Sequence, residues 1–388
     1  MAAKSWVLTD HSANEYVTDL TLTDKDAPAA TGCTVTKRTL RGGLSDGVDV
    51  VRVDNGACRF DVLPTRGMGI WRAWVGDLEI GWRSPVRGPV HPAHVPVGES
   101  TGLGWLDGFD ELLVRCGLES NGAPEFDEEG RVAYPLHGRI ANKPAHRVSV
   151  SIDDDTGEIA VRGSVEETRF HFLKVRLDSV VRTKPGEPGF RIEDTVVNIS
   201  GSPAEIQMLY HCNFGLPLLG AGAQVVAPVK TVVPRNDHAA SGVKAWPTYS
   251  GEAAGYEEQV YFLELLADDN GRTQAMLKDA HGMKAATMYF NKRQLPCFSV
   301  WKNTTSAPDG YVTGLEPGTN FPNPRTYEGE QGRVAKLDGA GSISFDFALK
   351  IHRNQAEVEA GEKEIAALQG DVKPKVFDSP QEGWCAPG

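Results

Sequence analysis

No run of about 20 apolar residues occurs anywhere in the sequence, so no helix able to cross a bilayer is expected. The opening stretch, MAAKSWVLTDHSANEY, lacks the apolar segment of a secretion signal, and a cytoplasmic protein is the expectation. Basic residues are in deficit, with 40 Lys and Arg against 52 Asp and Glu and a formal net charge of -12. That balance favours solubility and supplies no broad basic face for nucleic acid, so neither a nucleic-acid nor a membrane partner is expected. Cysteine is scarce and scattered, at 33, 58, 116, 212, 297 and 385, with no Cys-x-x-Cys pair. Such spacing points to reduced, buried thiols. Repeats, low-complexity tracts and compositional breaks are also missing, so residues 1–388 read as one domain.

What the chain does contain is alternation. Cys58, Phe60 and Val62 alternate with polar residues, as do Val148, Val150 and Ile152, then Ile159, Val161 and Val165. Leu173, Val175 and Leu177 repeat the pattern, and Ile343, Phe345, Phe347, Leu349 and Ile351 give its longest stretch. A period of two is that of a strand with one buried face. Turn clusters such as DDDTG at 153–157 and KPGEPG at 184–189 punctuate the runs, and the chain holds 42 glycines and 24 prolines. The fold class is therefore all-β, with large antiparallel sheets and one or two short helices. Helices are expected at 106–115 and, closed by Gly370, at 354–369. Residues 1–35 are expected to form an edge strand or wrap, and 353–388 a helix and tail.

Several segments set polar groups beside glycine or proline at strand ends. In LPTRGMGI, Arg66 either offers its planar donor fork to a ligand or bonds nearby carbonyls. Trp71, Trp82 and Trp105 suit either a sugar-stacking face or the core. His91 and His94 form His-x-x-His, but spacing identifies no third metal ligand. PLHGRIANKPA carries His137 and Arg139, and along QMLYHCNFG the side chains of His211 and Asn213 share one face. Finally, CFSVWKNTTSAPDGYVTGLEPGTNFPNPR joins a strand ending in Trp301 and Lys302 to Glu316, with Asn320 beyond it. Glu316 in GLEPG could end a stiff turn or act as a base; a histidine and a glutamate are the natural acid–base partners near neutral pH.

In their order, HGR at 137–139, YHCNFGL at 210–216, FSVWK at 298–302 and GLEP at 314–317 resemble the motifs of the galactose mutarotase (aldose 1-epimerase) superfamily. LPTRGMGI, GFDELLVRCGLESNGAP and PLHGRIANKPA resemble more specifically its DUF4432 branch. The resemblance spans roughly residues 40 to 352. It implies a β-supersandwich with sugar bound in a concave cleft. It further implies His211 as general acid toward the ring oxygen, Glu316 as base on the anomeric hydroxyl, and His137 as a sugar ligand. No cofactor or metal is implied. Arg66, Arg139, Asn213, Lys302 and Asn320 complete the expected substrate-binding set.

The sequence departs from the well-studied mutarotases in lacking their early Asn-Arg, for which Arg66 or Arg139 could substitute. Those two arginines with Lys302 would suit an anionic sugar or else be ion-paired. The leading reading is a mutarotase or epimerase of a free or acidic sugar. The alternatives are a sugar isomerase or lyase on the same scaffold, metal-assisted through His91, His94, His137 or His211, and a non-catalytic carbohydrate-binding protein. A homo-oligomer is compatible with all three. Glu316 and His211 are expected to face one cavity from opposite sides of a sugar-sized gap.

Overall fold

The computed structural model describes residues 3–387. Two large sheets, one of ten strands and one of fourteen, dominate it, and all their strand pairs but one are antiparallel. They are held face to face by one extensive apolar cluster drawing on both. Phe60 of one sheet meets Phe190 of the other at 4.9 Å between ring centroids, and Tyr210 stacks on Phe347 at 5.2 Å. The alternation seen in the sequence is the reason. Along Ser342–His352, Phe345, Phe347, Leu349 and Ile351 are buried while Ser344, Asp346 and Lys350 stay exposed. Each such side chain contributes on the order of 1.5–3 kcal/mol through its burial.

One polar tie crosses the core. Arg115 lies on Leu113–Leu118 and forks onto Asp194 of Gly189–Asn198, in the facing sheet. Ser179 Oγ accepts from the same guanidinium at 2.9 Å, and Tyr210 Oη donates to Asp194 Oδ2 at 2.8 Å. All four residues are buried.

The expected strands at 58–62, 148–152, 159–165, 173–177 and 343–351 correspond to Cys58–Leu63, Arg147–Asp153, Ile159–Thr168, Lys174–Thr183 and Ser342–His352. The second expected helix is Gln355–Gln369, capped by Asn354 accepting from the Glu357 amide. The first is not a helix. Its residues divide between a 3₁₀ turn at Gly104–Gly108 and the strand Leu113–Leu118, every residue of which is buried. Covered on both faces, that strand is buried at every position, its one charged residue Arg115 included, so it lacks the alternation of a half-buried strand.

At the N-terminus, Ala3–Asp10 pairs with Arg147–Asp153, and Leu20–Leu22 then joins the other sheet beside Thr34–Thr39. The segment after Gly370 is more than a tail. Lys375–Val376 pairs with Val229–Pro234, and Trp384 stacks on Phe321 at 5.1 Å. The six cysteines are free and buried. No helix among the described residues is long and apolar enough to cross a membrane.

Candidate active site

GLEPG is the interior of a strand, Val312–Gly318, lying between Cys297–Asn303 and Ala204–Phe214 near the middle of the larger sheet. On one side Glu316 is opposite Ser299. On the other, Leu209 faces Gly318 and Cys212 faces Leu315, a register that sets His211 directly across from Glu316. Pro317 has no N–H to give the ladder there. Cross-strand neighbours point to the same face with their Cβ atoms about 4.5–5.5 Å apart, so the two side chains meet. His211 Nε2 is 3.1 Å from Glu316 Oε1. The expectation of a gap between them is thus corrected: they share one cavity but stand side by side on its floor. Gly314, one row along between Trp301 and Asn213, makes room for them. A Cβ at Gly314 would come within 2.5 Å of Glu316 Oε1 and 3.0 Å of His211 Cε1.

Asn213 fixes the state of the histidine. Its amide nitrogen donates to the Glu111 and His211 carbonyls at 3.0 and 3.2 Å, which leaves Oδ1 to face His211 Nδ1 at 2.6 Å. That oxygen can only accept, so the hydrogen-bond network assigns the proton to Nδ1 and leaves the Nε2 lone pair toward Glu316. Burial, then the neighbouring His137, holds His211 well below the ordinary histidine range. Burial, reinforced by Glu258 and opposed by Arg235, raises Glu316 to about 8. At neutral pH the pair therefore holds a single proton beyond the one on Nδ1, and burial favours its place on the Glu316 carboxyl.

His137 stands beside this pair, its ring 5.2 Å from that of His211 and 4.6 Å from Trp105. Its Nδ1 donates to the Asn121 carbonyl at 2.9 Å, which leaves Nε2 an acceptor, and burial lowers its pKa to about 4. The backbone explains the His-Gly motif. His137 adopts φ 56°, and a Cβ on Gly138 would lie 2.1 Å from the Ser120 carbonyl. Above the floor opens a cavity of about 560 Å³, walled by Trp82, Trp105, Phe109 and Trp301. At its rim Glu258 accepts from Trp301 Nε1 at 2.6 Å and from Arg235 at 3.0 Å. Glu258 and Arg235 escaped the sequence reading because no motif surrounds either. Trp82 and Trp105 are both buried, and both line the cavity.

Four expected sugar ligands are committed elsewhere. Arg66 is 1% exposed and bonds Glu111, Asn142 and the carbonyls of Val90 and Gly108. It binds the loops around the site together, as the capping alternative foresaw. Arg139 pairs with Glu119 at 2.8 Å. Lys302, one residue after Trp301, falls on the opposite face of its strand, where Nζ donates to the carbonyls of Ala245, Trp246 and Thr248. Asn320 forms a reciprocal amide pair with Asn121, at 2.9 and 2.8 Å, and so braces the residue that holds His137. Asn213 belongs to the site as the support of His211. Trp71 bonds Asp110 away from the cavity. His91 caps a short turn by accepting from Ala93, 6.3 Å from His94. Among the described residues no three His, Cys, Asp or Glu side chains are grouped to hold a metal.

Paired sheets with a histidine–glutamate pair on the floor of an aromatic cleft define a β-supersandwich of the galactose mutarotase-like class. Within it, this chain belongs to the DUF4432 family, whose model, described as a domain of unknown function, matches residues 45–351. A crystal structure from Klebsiella pneumoniae, of a protein provisionally named an aldose 1-epimerase, is 36% identical with a TM-score of 0.94, covering 98% of this chain and 99% of that one. A galactose mutarotase-like protein from Clostridium acetobutylicum shares the fold at 14% identity and TM-score 0.56, over 82% of this chain and 98% of its own. Galactose 1-epimerase from Lactobacillus acidophilus does so at 10% identity and TM-score 0.53, over the same shares. No curated protein matches.

Proposed function

We propose that the protein is an aldose 1-epimerase-like enzyme that interconverts the anomers of a reducing sugar, with His211 and Glu316 as its acid–base pair. The observation that carries this is the 3.1 Å approach of His211 Nε2 to Glu316 Oε1 beneath an aromatic cavity of about 560 Å³. Ring opening needs two proton movements at neighbouring oxygens. The proton held between the pair first passes from Glu316 to His211 Nε2. Glu316 then takes the proton of the anomeric hydroxyl O1 while Nε2 gives its own to the ring oxygen O5, so that C1–O5 breaks and C1=O1 forms. Because O1 and O5 are both bonded to C1, acid and base need not flank the sugar, and adjacent groups reach both.

The free aldehyde rotates about C1–C2, and closure on its other face returns each proton to its source. Both groups act as acid and as base within one cycle, and the balance closes without a cofactor. Trp301 and Phe109 offer faces for the C–H side of the ring, and His137 Nε2 accepts from a hydroxyl.

Exchange NMR on a panel of free sugars tests the reading. Glu316→Gln and His211→Ala are expected to lose about 10²–10⁴-fold in anomer exchange while keeping the wild-type circular dichroism spectrum. Wild-type exchange rates in either variant would sink the assignment.

A further inference from the structure

The cleft does not end at its aromatic walls. A second cavity, of about 1060 Å³, lies beside it, and Ala123, Arg235 and Pro322 line both. The saddle between them is fixed. Ala123 N–H donates to the Pro322 carbonyl at 3.2 Å, and a Cβ on the neighbouring Gly122 would lie 2.0 Å from the Asn323 carbonyl. The Gly122 carbonyl accepts from the His137 amide at 2.9 Å, so one loop carries both the saddle and a residue of the cleft floor. Residues 380–383 and 385–387 wall the second cavity, and they are tied to the body of the protein. Asn323 Nδ2 donates to the Trp384 carbonyl at 2.9 Å, Arg333 to the Gly383 carbonyl at 2.6 Å, and Ala386 N–H to Asn323 Oδ1 at 3.2 Å.

The chemistry of this second space differs from that of the first. Amide side chains take the place of the tryptophans: among the described residues, Asn236 Nδ2, Gln381 Oε1 and the Gln331 side chain have no hydrogen-bond partner. At the saddle, Arg235 gives Nη2 to Glu258 at 3.0 Å and, among the described residues, keeps its other guanidinium donors uncommitted on a side chain 36% exposed. Glu258 matches its charge, and Asp237 and Glu382 line the second cavity, a balance that suits sugar hydroxyls better than a phosphate. The first cavity, at about 560 Å³, is within the range of small-molecule sites and larger than one pyranose ring fills. From this we infer that the second cavity is a subsite for a second sugar unit, so that the substrate is the reducing end of a disaccharide or longer saccharide. One ring lies over His211 and Glu316, and the next crosses the saddle to the amide groups beyond. The inference rests on the proposed sugar chemistry of the cleft and adds the substrate class.

The experiment pairs glucose with maltose, lactose and isomaltose, and galactose with galactobiose, with glucose 6-phosphate beside them. Binding is read by calorimetric titration, ring contacts by saturation-transfer NMR and turnover by exchange NMR. At least one disaccharide is expected to bind about tenfold more tightly than the monosaccharide at its reducing end, with both of its rings taking up saturation. Gln331→Trp, which sets a large ring into the second cavity from an exposed position, should remove most of that advantage. Four results would overturn the inference: no disaccharide advantage, saturation confined to the reducing ring, an advantage unmoved by Gln331→Trp, or glucose 6-phosphate bound more tightly than every disaccharide. A disaccharide advantage in binding without any anomer exchange would leave the inference standing and defeat the epimerase reading instead. Exchange of the monosaccharides with no such advantage would do the reverse. If no sugar binds, both fall.

Discussion

Glu316 is a carboxyl group kept protonated by position. Fully buried, its oxygens meet no cation, and the Glu258 charge adds to the cost of ionising. The pair's single proton should therefore leave as pH rises through about 8, and the anomer-exchange rate should fall across that range. Stability carries the same signature. Between the unfolded glutamate value of about 4.3 and the folded value, the native state holds a proton that the unfolded chain has lost, so stability declines as pH rises through that window and is level above it. Glu316→Gln removes the slope. Urea titrations from pH 5 to 9 should show the variant gaining on wild type as pH rises; parallel curves would mean that Glu316 ionises freely in the fold. At this scale the sequence was half legible. Nearby glycine or proline drew attention to His137, His211 and Glu316, and all three line one cavity; Gly138 and Gly314 answer close approaches there. The same cue misled at Arg66, Arg139 and Lys302, since a basic residue beside a turn looks the same whether its partner is a ligand, a carboxylate or a carbonyl.

Among the elements, Val312–Gly318 illustrates why a turn-like composition can hide a strand. Gly314, Pro317 and Gly318 are poor strand residues, yet the strand is buried throughout and paired on both sides. Pro317 is accommodated where the ladder to the 204–214 strand is interrupted, and Gly314 is retained because a side chain would strike the acid–base pair. Gly314→Ala should accordingly leave the fold in place, since the atoms it meets belong to side chains able to move, but displace Glu316. Anomer exchange is expected to fall about 100-fold by NMR, with a small drop in melting temperature at most. Full activity would show that the pair tolerates the shift. The strand Leu113–Leu118 failed the sequence reading for the converse reason: burial on both faces erases the period that would reveal it.

For the molecule as a whole, alternation was enough to foretell an all-β fold, because every strand with one face on the core must repeat every second residue. What no period could foretell is which strands meet across the core, and there the Arg115–Asp194 pair with Tyr210 and Ser179 joins the two sheets. Arg115→Ala would strand a buried carboxylate and is expected to cost about 3–5 kcal/mol in urea unfolding, where a surface pair would cost under about 1. The strand Ala204–Phe214 is the place where that tie and the cleft converge. Tyr210 is fastened to the opposite sheet, its neighbour His211 faces Glu316 in the cleft, and Asn213 holds His211; from Ile206 onward no residue is exposed. Such a strand has no position left to vary. Descendants of this scaffold that acquire new substrates should therefore inherit the strand nearly unchanged and diverge in the loops that bring Pro85, Leu103, Leu106 and Pro322 to the cleft lining, so that the history of specificity is written in those loops while the floor stays still.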